Sequence, residues 1–72
     1  MLFIEASAHR HGVSEDEIIH ALSNTLKHFA RDDMTMIIGP DFSGNILEVG
    51  VIDSAEYLVV IHAMRARKEF IG

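Results

Sequence analysis

Four consecutive apolar residues, Leu58-Val59-Val60-Ile61, stand inside the stretch from Tyr57 to Phe70, and three of them are β-branched. Such a run reads as a strand. Strict alternation puts Tyr57, Val59, Ile61 and Ala63 on one face and Leu58, Val60 and Met64 on the other. A strand that is apolar on both faces needs cover on both, so it belongs in the interior of a sheet. His62 interrupts the second face, and Arg65, Arg67 and Lys68 follow at once, half of the chain's six Lys and Arg. An interior strand therefore delivers an imidazole and a group of cations to one edge of the domain.

Upstream, Ser14 and Glu17 have the spacing of a helix capping box, with Val13 placed to staple onto Ile18. Glu15, Asp16 and Glu17 suit the positive end of a helix dipole, and Lys27, His28 and Arg31 suit the negative end. Ile18, Leu22, Leu26 and Phe29 recur at helical spacing. These signals predict a helix from Glu15 to Phe29, with His20 and His28 on its polar face.

The period then changes. Met34 to Ile38 reads as a strand ended by Gly39-Pro40, and Asp41-Phe42-Ser43-Gly44 supplies turn chemistry. From Asn45 to Ile52 the pattern alternates, with Leu47, Val49 and Val51 opposite Ile46, Glu48 and Gly50. Gly50 marks either a bulge or a close backbone approach. Asp53 to Glu56 turns the chain into the strand from Tyr57, while Leu2-Phe3-Ile4 forms a short first strand and Ala6 to Arg10 a helical turn. The expected fold class is α+β: a small antiparallel sheet in β-α-β-β-β order, with one principal helix packed on one face.

Seventy-two residues make a single domain, 1–72, with a thin core. With 49% apolar residues and too little helix to cover two sheet faces, the chain is expected to close one face by association, as a homodimer or with a partner. The lack of cysteine fits a reducing compartment, and no stretch has signal-peptide or membrane-spanning character, so the cytoplasm is the expected location without membrane attachment. A net charge of −5 excludes a nonspecific nucleic-acid coat, but leaves room for a local basic site.

Three segments carry a resemblance. H-G-V-S at His11 to Ser14, I-G-P-D-x-S-G-N-x-L-E-V at Ile38 to Val49, and V-I-H-A-M-x-x-R at Val60 to Arg67 resemble BrnT-like toxins of the RelE/ParE toxin superfamily. The resemblance implies a compact toxin domain that cleaves RNA without a metal and inhibits translation. It also implies a cognate antitoxin, as in other type II toxin–antitoxin pairs. The acidic net charge departs from the basic character of toxins that act on ribosome-bound RNA.

Each candidate residue has a plain reading beside the functional one. Arg65, Arg67 and Lys68 can clamp a phosphate and stabilise the charge that grows during cleavage, or form a solvated tail. His62 can act as general acid or base, or be a satisfied structural histidine. Arg10 and His11 stand in a toxin-like position before the helix and are expected to bind substrate, or else are ordinary loop residues. His9, His11 and His62 are too sparse a donor set for a metal site, so neither metal nor other cofactor is expected. The resemblance also touches Asp41, Ser43 and Gly44, which the hairpin turn alone explains. The alternative to an RNA-cleaving toxin is a non-catalytic interaction module of the same fold, binding a partner protein through its sheet.

Overall fold

Tight turns and one capped helix divide the chain into short elements. The computed structural model describes residues 1–71. They form β1 (Leu2–Ile4), a 3-10 turn (Ala6–His9), α1 (Glu15–Ser23), β2 (Lys27–Arg31), β3 (Met34–Pro40), β4 (Ile46–Asp53), β5 (Leu58–Arg65) and a terminal helical turn, α2 (Lys68–Ile71). The strands make one sheet in the order β1-β5-β4-β3-β2. The fold is α+β, with one principal helix. The doubly apolar strand, β5, lies between β1 and β4 as its pattern requires. β2 to β5 pair antiparallel, whereas β1 runs parallel to β5. No hairpin links β1 to β5, so nothing in the connection forces the antiparallel sense.

Ser14 caps α1 as its spacing predicts, its hydroxyl accepting from the Glu17 N–H at 3.2 Å. Glu17 does not complete the box. Its carboxylate instead accepts from the Phe42 N–H at 2.9 Å, tying the helix start to the β3–β4 turn. The helix ends at Ser23, not at Phe29. Asn24 Nδ2 and Thr25 Oγ1 donate to the carbonyls of His20 and Leu22, satisfying backbone groups the helix would otherwise use. Leu26 N–H then donates to the Ile38 carbonyl at 2.7 Å, and residues 27–31 pair with β3 as an edge strand. A tight hairpin at Asp32, whose φ is 49°, joins the two. Leu26 is consequently exposed, and Lys27, His28 and Arg31 lie on a strand rather than at a helix end.

One sheet face packs against α1 and the 3-10 turn. Ile18, Ala21 and Ala8 meet Leu47, Val49, Val51, Val60 and Ala63 there, with Val13 against the same cluster. The approach is close enough that a side chain on Gly39 would collide with the Ala21 carbonyl oxygen. On the opposite face, α2 folds back so that Phe70 is buried against Met36 and Ile38, beside Phe29 and Ile46.

β5 departs from simple alternation. Val51 pairs with Val60 but Gly50 pairs with His62, so Ile61 is the extra residue of a β-bulge. The bulge keeps Val60 and Ala63 in the helix-side core together and turns His62 to the other face. Gly50 serves both of its expected purposes. It borders the bulge, and a Cβ there would lie 3.1 Å from Met34 Sδ and 3.2 Å from His62 Cβ.

Candidate functional site

Glu48 is the one charged residue buried among those described, with no solvent-exposed surface. It sits mid-way along β4, on the face away from α1, opposite Met64 on β5. A buried carboxylate must be fully hydrogen-bonded, and this one is. Oε1 accepts from the Arg67 backbone N–H at 2.9 Å and from Arg67 Nε at 3.0 Å. Oε2 accepts from Arg67 Nη2 and from His62 Nε2, both at 2.8 Å. Burial alone pushes the carboxyl up. The hydrogen bonds from Arg67 and then His62, with the Arg67 charge, outweigh burial and hold Glu48 below its ordinary value of 4.5.

An ionised carboxylate only accepts hydrogen bonds, so the Nε2–H of His62 donates to it. That assigns the tautomer: in the neutral ring, Nδ1 carries the free lone pair. The His11 ring stands edge-on to His62, with centroids 5.9 Å apart and planes at 76°. Two imidazoles thus lie side by side, one of them oriented by a buried charge. Such a pair can accept one proton and donate another.

Arg65 occupies different ground. It is opposite Leu47, on the helix-side face, and lines a groove of about 280 Å³ with His11, Ser14, Glu17 and Asp41 at the start of α1. Asp41 accepts from the N–H groups of Ser43 and Asn45 and from Asn45 Nδ2, as its turn role requires. Burial raises the Asp41 carboxyl, but these bonds and the Arg65 charge lower it further, leaving it below the usual range.

The expected three-cation clamp is therefore divided. Arg65, the last residue of β5, stays on the helix side, whereas Arg67 lies beyond the strand, where the chain turns into α2, and is committed to Glu48 on the other face. Arg67 also stacks 5.5 Å from the Phe70 ring centre, and its bonds to Glu48 raise its affinity for its proton. Lys68 is exposed at the start of α2, and Arg10 is exposed beyond the 3-10 turn. Of the expected residues, His11 and His62 come together and His11 borders the groove holding Arg65, whereas Arg10 and Lys68 lie apart on the surface. His20 is half-buried rather than on a solvated face, its Nδ1 being 2.8 Å from the Pro40 carbonyl.

Glu48 is the member of this candidate site that residue-by-residue reading passes over. Its signal is a lone acid in Ile46-Leu47-Glu48-Val49-Gly50-Val51, an otherwise apolar strand, where a charge demands a partner. Among the described residues no three His, Cys, Asp or Glu side chains converge as a metal site, and no helix is long and apolar enough to cross a membrane. Comparison of the chain with protein-family models, curated proteins and solved structures finds no match to any.

Proposed function

We propose that the protein is the toxin of a type II toxin–antitoxin pair, acting in the cytoplasm by cutting RNA without a metal. The observation that carries the reading is His62, held by buried Glu48 with the His11 ring 5.9 Å away. In this reaction the ribose 2′-OH attacks the adjacent phosphorus and loses its proton to His62 Nδ1. The bond to the 5′-oxygen breaks, and His11 supplies the proton that this oxygen takes up. The Arg65 charge beside His11 stabilises the phosphate as negative charge builds on it. Glu48 and Arg67 act through His62, by fixing its ring and tautomer.

Controlled expression in a bacterial host tests the proposal. The intact chain is expected to arrest growth, and His62→Asn to relieve the arrest while circular dichroism shows the fold retained. Arrest that persists in both His62→Asn and His11→Asn would overturn the assignment of the imidazole pair.

A second reading, a non-catalytic interaction module, is favoured by a specific observation: Arg67 is already neutralised by Glu48 in a chain of net charge −5. A harmless chain that nonetheless co-purifies with the product of the neighbouring reading frame would select that reading. Under either, a cognate antitoxin or other protein covering the open sheet face is the expected partner.

A further inference from the structure

The face of the sheet opposite α1 is covered along only part of its length. Phe70 closes the end where Ile38 and Ile46 lie. Towards the other end two hollows remain open, one of about 370 Å³ lined by Met34, Ile52 and Ile61, the other of about 400 Å³ lined by Phe3, Tyr57 and Val59. They are neighbours, because Ile52 pairs directly with Val59, and Val59 with Phe3. Together they make an apolar trough crossing β3, β4, β5 and β1. Four strands at about 4.8 Å spacing give a length near 14 Å, about three helical turns.

Charge is sorted around this trough. Asp32 and Asp33 stand at the β2–β3 hairpin, Asp53 and Glu56 flank the β4–β5 turn at the same end of the sheet, and Glu5 lines the second hollow, all five exposed. The two cationic side chains bordering the trough are both taken, Arg31 by Glu69 at 3.2 Å and Arg67 by Glu48, and the N-terminal ammonium, 3.2 Å from the Glu56 carbonyl, is one positive charge against five acids. The open rim is therefore acidic. A second copy of this chain would bring one acidic rim against another. A strand laid on the face would leave its own backbone N–H and C=O groups unpaired, whereas a helix satisfies its own.

We propose that this trough docks an amphipathic helix of another protein, about three turns long, with an apolar stripe flanked by Lys and Arg. The site lies on the sheet face away from the groove of Arg65, and the inference holds whether or not the protein cuts RNA. The test uses two synthetic helical peptides with the same Leu and Ile stripe, one carrying Lys and Arg on its polar face and the other Glu. The basic peptide is expected to bind at least tenfold tighter than the acidic one and to weaken as salt is raised. Amide shifts should concentrate at Phe3, Ile52, Val59 and Ile61. Phe3→Asp, at a half-exposed position, should abolish binding. Asp32→Asn with Asp33→Asn should weaken it several-fold while leaving growth arrest unchanged. Equal binding of the two peptides, no binding of either, shifts centred on His11 and Arg65, or light scattering showing a dimer whose formation blocks the peptide would each overturn the proposal.

Discussion

Replacing Phe70 with alanine should unfold much of what keeps the C-terminal turn on the sheet. The ring is 1% exposed, packed on Met36 and Ile38 with the Phe29 centroid 5.7 Å away. Phe→Ala in a packed core costs about 3–5 kcal/mol. Here the site is at the rim, where the long side chains of Arg31 and Arg67 can fold into the space, so about 3 kcal/mol is the reasoned value. Their guanidinium groups, 4.9 and 5.5 Å from the ring centre, lose a further cation–π contact. Native domains hold about 0.05–0.15 kcal/mol per residue, which for this length is about 4–11 kcal/mol in all. The substitution therefore removes about a quarter or more of the stability, and lowers Tm by about 12–24 °C. Urea unfolding followed by circular dichroism measures it. A cost under about 1 kcal/mol would mean that the tail is free in solution and that the basic segment is the solvated one its sequence also permits.

The remaining predictions concern the helix and the buried carboxylate. Ser14→Ala should cost about 0.5–2 kcal/mol, towards the lower end because Glu17 does not complete the box; an unmoved denaturation midpoint would place the helix start elsewhere. Gly39→Ala should cost at least about 2 kcal/mol by forcing α1 off β3, and a neutral result would contradict the close approach of Ala21. Glu48 has a folded pKa below its unfolded one, so its contribution is fully present above the unfolded value of 4.5 and is lost as pH falls through the depressed folded value. Glu48→Gln, which carries no titrating group, should flatten the stability curve below about pH 4.5; an identical acid limb in both proteins would refute the linkage.

Much of the fold is legible in the sequence because burial imposes period. Leu47, Val49 and Val51 alternate and do form the helix-side core. Leu58 to Ile61 is greasy on both faces and does lie inside the sheet. The Ser14 cap is local chemistry and stands where its spacing puts it. The helix end is less legible, since Leu22, Leu26 and Phe29 fit a helical stripe while the competing bond, Leu26 N–H to the Ile38 carbonyl, joins residues twelve apart in the chain. The parallel pairing of β1 with β5 is likewise set by contacts across nearly the whole chain. In the candidate site, His62 is visible as the polar break in an apolar strand. Its facing is not visible, because one bulge residue reverses the alternation after Val60. Alternation would put Arg65 and Arg67 on one face, but β5 ends at Arg65 and the chain turns towards α2, so Arg67 reaches Glu48 on the opposite face and three cations close in sequence do not form one cluster in space. Glu48 shows how a buried charge draws its partners from distant elements: its two are 14 and 19 residues away.

Cleavage of a mixed-sequence RNA by the purified protein in excess EDTA tests the central claim most directly, with the ends of the products determined. Attack by the 2′-OH must leave a 2′,3′-cyclic phosphate on one fragment and a 5′-hydroxyl on the other. The account predicts those ends with chelator present, and a loss of roughly 10²–10⁴ in rate for His62→Asn, the size of general acid–base work. No cleavage by the intact chain, 5′-phosphate ends, or activity abolished by the chelator would contradict it.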